Sequence, residues 1–212
     1  MKTIGNKESK KAIAKRSGDI IAANAIEGFS KNGRVCGLTN GAFSLVSLIE
    51  AVLNITGPAE IVISTWSGGF YDAGAINSLM ACGKVLDAKL ILDRSFKTTR
   101  GGKYVAYFQD IFKIENIRTT NMHAKFVLIK NEEWNVCIRS SMNLNENKRC
   151  ENFDVDDNID IYNLFNDFAN DLFKLQPKGI IESRSIVDPV FDTLFDVKSE
   201  IKTNDYYKKL GE

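Results

Sequence analysis

The chain has 212 residues, 44% of them apolar and 26% charged, with only 3 prolines; this excludes disordered and fibrous classes and allows a real core without disulfides or structural metals. Its single histidine, His123, excludes two-histidine zinc helices, Cys2His2 fingers and two-imidazole facial triads within one chain. Net charge is +1, but residues 1–16 carry +5, residues 17–83 carry −3, residues 84–149 carry +6 and residues 150–212 carry −7, so a nearly neutral protein can still present a basic face to an anionic polymer, although solvated charged faces are the simpler reading of these blocks alone.

In chain order, the Ala-, Ile-, Lys- and Glu-rich stretch Asn6 to Phe29 predicts a helix, assigned to an N-terminal segment 1–30. A strand over Arg34 to Thr39 and a helix over Phe43 to Ile55 follow, the helix stopping at Gly57-Pro58. Glu60 to Trp66 reads as a strand, Asp72 to about Lys84 as a helix and Ala88 to Asp93 as a third, buried strand. This β-α-β-α-β order predicts an α/β fold, a mixed but largely parallel sheet with helices on both faces. A polar loop, Ser95 to Lys103, precedes a helix from Tyr104 to about Lys113. Ile117 to Thr119 is a short strand, and Phe126 to Ile129 with Trp134 to Ile138 reads as an antiparallel hairpin. A strand within Phe153 to Ile161 and an amphipathic helix, Tyr162 to Leu175, close a domain spanning 31–176. The tail, 177–212, is expected to hold one more helix around Pro189 to Ile201.

Cys36, Cys82, Cys137 and Cys150 form no C-x-x-C pair, which argues against a zinc ribbon; a reduced, cytoplasmic setting fits them best. The basic N-terminus lacks an apolar core of the secretory type, and no stretch approaches a membrane span.

The chemistry concentrates in Met122 to Asn152. His123 and Lys125, two apart at the start of a strand, point to one face and set a nucleophile beside a fixed positive charge. Ser141 and Asn143 repeat that spacing after the paired hairpin strand, bringing a hydroxyl and an amide alongside. The set suits an anionic phosphorus centre, with Lys125 and Asn143 on the non-bridging oxygens and His123 attacking; Glu151 is placed to fix the imidazole tautomer. Trp66, beside Ser64, Thr65 and Ser67 at the end of a parallel strand, lies where open α/β sheets build their crevices, although core packing is the simpler reading. Arg94, Lys97, Arg100 and Lys103 with Gly101-Gly102 form a basic loop that contacts substrate or is merely solvated. Lys148 and Arg149 read first as surface residues.

His123-Ala124-Lys125 followed by Ser140-Ser141-Met142-Asn143, with Asn147, Arg149, Glu151 and Asn152 downstream, resembles the HKD motif of the phospholipase D superfamily. The likeness covers roughly residues 30–175. Two positions depart from it: Lys130 stands where the family has an aspartate, and Ser140 where it has a glycine. The resemblance implies a phospholipase D-like domain and a phosphodiesterase that forms a phosphohistidine with one histidine and protonates the leaving group with another. With one motif per chain, it implies a homodimer with the active site on its two-fold axis. No metal or other cofactor is implied, since Lys125 and Asn143 of both subunits neutralise the phosphoryl oxygens. It gives catalytic roles to His123, Lys125, Asn143 and Glu151 and substrate contacts to Ser141, Lys125 and Asn143, beside which Arg94 and Trp66 are expected to touch substrate. Nucleic acid, DNA ahead of RNA, is the expected substrate. A phospholipid phosphodiesterase and a catalytically silent nucleic-acid-binding protein are the alternatives.

Overall fold

The computed structural model describes residues 12–18, 21–145, 148–181 and 188–194. Eight strands form one sheet: β1 (Ala12–Ser17), β2 (Arg34–Thr39), β3 (Ala59–Thr65), β4 (Val85–Asp93), β5 (Ile117–Thr120), β6 (Lys125–Lys130), β7 (Asn135–Ser140) and β8 (Glu151–Asp157), in the order β1-β2-β8-β7-β6-β3-β4-β5. The helices are α1 (Ala22–Ala25), α2 (Leu45–Thr56), α3 (Phe70–Ala81), α4 (Phe96–Arg100), α5 (Gly102–Phe112), α6 (Ile159–Leu175) and α7 (Pro189–Leu194). None among the described residues is long and apolar enough to cross a membrane.

The fold is α/β with a mixed sheet, as the element order predicts. Alternation along each strand builds a core on either face. Val127 and Ile129 point into a large cluster shared with α2, α3 and α5, whereas Phe126 and Leu128 point into a smaller one beneath Tyr162, Ala169 and Leu172 of α6. Helix α2 starts where the Ser44 hydroxyl accepts from the Ser47 N–H, and α3 where the Asp72 carboxylate accepts from the Gly69 N–H at 2.8 Å, both relieving amide donors of a first turn.

Two expectations are corrected. The helix over Asn6 to Phe29 is not continuous: Ala12–Ser17 is an edge strand paired in parallel with β2, and Ala22–Ala25 is a single turn. Local helix preference loses to tertiary pairing here. Ile13 packs on the large core, and Gly37 of β2 lets the strands meet, since a Cβ there would lie 2.3 Å from the Lys15 carbonyl oxygen. The sheet, not a separate N-terminal helix, therefore begins before residue 31. Second, Ser95 to Lys103 is not an open loop but holds α4 and the start of α5, joined at Gly101, whose φ of +85° favours glycine. In the sheet, β8, β7 and β6 lie between β2 and β3.

Gly179 and Ile181, just after Pro177, pair with the β5 edge. The Gly179 N–H donates to the Ile117 carbonyl at 2.9 Å, and the Ile181 N–H to the Thr119 hydroxyl at 3.2 Å. This covers an edge that would otherwise offer unpaired backbone groups. The expected tail helix appears as Pro189–Leu194; residues 195–201 of that expectation lie outside the described ones.

Strand directions follow from the pairings. β3 is antiparallel to β6, β6 to β7, β7 to β8 and β8 to β2, while β1 with β2 and β3, β4 and β5 run parallel. The C-terminal ends of β1 to β5 and of β7, and the N-terminal ends of β6 and β8, thus share one edge of the sheet. His123, Lys125, Ser141, Asn143 and Glu151 lie at or next to that edge.

Candidate active site

His123 sits just before β6 between two backbone anchors. The Met122 N–H donates to the Asp93 carboxylate at 3.1 Å, and the Ala124 carbonyl accepts from the Ser64 hydroxyl at 2.9 Å. Both anchors are short polar side chains at the ends of parallel strands. Asn143 is held the same way: the Met142 N–H donates to the Ser140 hydroxyl at 3.0 Å and the Leu144 N–H to the Thr65 hydroxyl at 3.3 Å. Met142 and Leu144 are buried, and Asn143 Oδ1 is itself buried with no hydrogen-bond partner among the described residues. Ser64, Thr65 and Asp93 are positioning residues that the motif does not contain. Their signal in the sequence is their place at strand ends, where crevices form.

The exposed imidazole of His123 has Lys125 Nζ almost equidistant from both ring nitrogens, 3.3 Å from Nδ1 and 3.4 Å from Nε2. Burial lowers the pKa of the Lys125 ammonium below the usual lysine range, while Glu151 and Asp93 oppose that fall. The Ser141 hydroxyl donates a short hydrogen bond to the Glu151 carboxylate and accepts from the Asn152 N–H at 2.9 Å. Glu151 therefore meets Ser141 within the described contacts. Ser140, in place of glycine, donates to the Asn152 carbonyl at 2.6 Å, so this hydroxyl braces the turn between β7 and β8.

Trp66 is brought to the site rather than into the core: it is 38% exposed, with its ring centroid 6.2 Å from that of His123. Arg94 is not offered to solvent as expected. Its side chain is 15% exposed and lies 3.7 Å from the Asp188 carboxylate, which also accepts from Thr120 at 2.9 Å and from Gln176 at 2.9 Å. Arg100 of the expected basic loop donates to the Ser67 hydroxyl at 2.9 Å. Lys130 closes β6 at the far edge of the sheet, roughly 17 Å from Lys125 at about 3.3 Å per strand residue, and is exposed there.

Beside His123 lies a cavity of about 380 Å³ whose walls include Met122, Phe126, Leu164, Phe165, Phe168 and Phe191. It is apolar. Cys137, in the small core, is inert as a nucleophile because burial pushes its thiol up to about 12.

No protein-family model matches the sequence, and no curated protein matches it. Solved structures do resemble it. Nuc from Salmonella typhimurium, a phospholipase D family member, superposes with a TM-score of 0.52 at 17% identity over 71% of this chain and 99% of its own. NucT from Helicobacter pylori gives 0.45 at 16% identity over 56% of this chain and 81% of its own. A polyphosphate kinase from Porphyromonas gingivalis gives 0.43 at 16% identity over 59% and 23%. The first of these likenesses covers nearly the whole of Nuc: the chain has the phospholipase D-like fold.

Proposed function

We propose that the chain is a metal-independent phosphodiesterase that cleaves nucleic acid, DNA ahead of RNA, through a phosphohistidine in a homodimeric active site. The observation that carries this reading is the meeting of His123 and Lys125 with Ser141 and Glu151 on one sheet edge of this fold. A His123 nitrogen attacks phosphorus, and the bond to the leaving alkoxide breaks as a proton arrives from His123 of a second copy. That second imidazole then takes a proton from water, which displaces the first histidine and restores both. Lys125 and Asn143 hold the non-bridging oxygens as charge develops. Glu151 acts through Ser141, keeping that hydroxyl's lone pair toward the Asn152 N–H, and Trp66 offers a ring on which a base or sugar rests. Four free cysteines, Cys36, Cys82, Cys137 and Cys150, are compatible with a reducing, cytoplasmic setting.

The test is incubation with plasmid and single-stranded DNA in EDTA. Cleavage that survives chelation and disappears in His123→Ala is expected; tight binding without cleavage would turn the protein into a silent nucleic-acid-binding module. Full activity from a species that light scattering shows to be monomeric would remove the shared site.

A second reading has its own observation. The apolar cavity beside His123 is the kind of mouth a phospholipid phosphodiesterase requires. Release of head groups from vesicles, with DNA untouched, would establish it.

A further inference from the structure

The two basic blocks of the chain end at the same place. Arg16 closes the N-terminal block and lies near the end of β1; Lys148 and Arg149 close the central block and precede β8. The fold gathers them around a groove of about 570 Å³, whose remaining walls include Ser17, Leu38 and Asn40. All three cations are exposed. The other described arginines are committed: Arg34 and Arg139 to Asp154, Arg94 to Asp188, Arg100 to Ser67, and Arg118 to backbone carbonyls. Arg16 and Arg149, with Lys148, hold no hydrogen-bond or ion-pair partner among the described residues.

The groove is continuous with the site. Cys150, on its wall, precedes Glu151, and Thr39, also on its wall, pairs with Glu151 across the β2–β8 ladder. Along the sheet edge, β8 is two strands from β6 and β1 is four, so the groove runs from roughly 10 to 19 Å from Lys125 at about 4.8 Å per strand. At about 3.4 Å of axial rise per nucleotide, that is roughly three to six nucleotides from the scissile bond. Three cations spread along an open groove suit a chain of phosphates better than one small anion, because each can neutralise a different charge.

We infer that this groove binds the backbone phosphates of a nucleic-acid strand several nucleotides away from the bond that is cut. The inference rests on the nucleic-acid reading of the site. It makes the enzyme length-sensitive: a dinucleotide fills only the site, whereas a strand of about 12 nucleotides reaches the groove at the spacing given above.

The experiment uses the full chain carrying Arg16→Gln, Lys148→Gln and Arg149→Gln together, with Arg16→Lys and Arg149→Lys as the charge-keeping control. Fluorescence anisotropy with a labelled single-stranded 12-mer measures affinity against salt, and cleavage of that 12-mer is compared with cleavage of a dinucleotide. The neutral variant is expected to flatten the slope of log affinity against log salt by about 2, at about 0.7 per phosphate contact on a single strand. Its cleavage of the 12-mer should fall about tenfold or more while dinucleotide cleavage stays within about twofold, and the control should match the parent. An unchanged slope, equal losses on both substrates, or a control that fails like the neutral variant would overturn the groove. Loss of binding to anionic phosphatidylglycerol vesicles with 12-mer binding intact would overturn it in favour of a lipid surface. If the parent cleaves neither substrate, the proposed activity falls, and the anisotropy slope still decides the groove by itself.

Discussion

The two flanks of His123 differ in chemistry. Toward β8, β2 and β1 the sheet edge carries exposed cations around an open groove; toward α6 and α7 it carries phenylalanines around a smaller apolar cavity. The reacting set proposed between them would serve phosphodiester chemistry of either kind, because lipid and nucleic acid present the same phosphorus centre. On that proposal substrate choice falls to the flanks, and only one of them bears charge that a polymer of phosphates needs. The apolar flank also has a structural duty: Phe165 packs on Phe126 with ring centroids 5.0 Å apart, closing the small core under α6.

Substitutions separate these roles, and the largest effect belongs to the centre. His123→Ala should lower hydrolysis of any phosphodiester by about four orders of magnitude or more, the scale of removing a nucleophile, measured as turnover of a small chromogenic diester in EDTA. Loss on DNA alone, with the small diester unaffected, would place the chemistry elsewhere. Lys125→Met should lower kcat by about 10²–10³, the scale of one lost charge-stabilising donor. Because burial lowers the Lys125 pKa, the ammonium is lost on the alkaline side at a lower pH than an ordinary lysine near 10.4. The alkaline limb of the parent's pH profile should therefore begin early, and Lys125→Arg should move it upward.

The apolar flank is probed through its clasp. For Asp188, burial by itself would raise the pKa, but the Phe191 N–H, Thr120, Gln176 and Arg94 together hold it below its ordinary 3.8. A carboxylate depressed in the folded state contributes stability above its unfolded pKa and loses it as pH falls through the folded one. Asp188→Asn should thus cost about 1–3 kcal/mol at neutral pH and flatten the loss of stability below pH about 4, read from denaturant unfolding at pH 7 and pH 3. DNA cleavage at neutral pH should survive it, since the clasp orders Phe191 and not the groove. The smallest effect is expected from Leu164→Gln. This exposed side chain lines the cavity, so stability should change by less than about 0.5 kcal/mol and DNA cleavage by less than about twofold. A large loss of vesicle hydrolysis in that variant would instead give the cavity to a lipid.

What the sequence made legible was local. The β6–β7 hairpin, the two-residue spacings of His123 with Lys125 and Ser141 with Asn143, and the amphipathic α6 are patterns within a few residues of one another. Sheet order was not legible, because β2 meets β8 from about 120 residues away and nothing in either strand names its partner. A similarly long separation in sequence hid the commitment of Arg94 to Asp188. Ala12 to Ser17 misled for a different reason: its two alanines, Lys15 and Arg16 favour a helix, and only the glycine at position 37 in another strand reveals that a neighbour must come close. Trp66 was legible in position but not in direction, since a strand end faces either core or crevice.

Lys130 bears on how the motif itself is read. Five residues along β6 carry the chain from one edge of the sheet to the other, so the letters of an H-x-K-x4-D pattern do not report on one place. The first two describe an instrument and the last describes its mounting, and a change in the mounting leaves the instrument's settings to be judged on their own residues. Sorting such signatures by the edge each letter occupies would separate members that have lost their chemistry from members that have only been fastened differently.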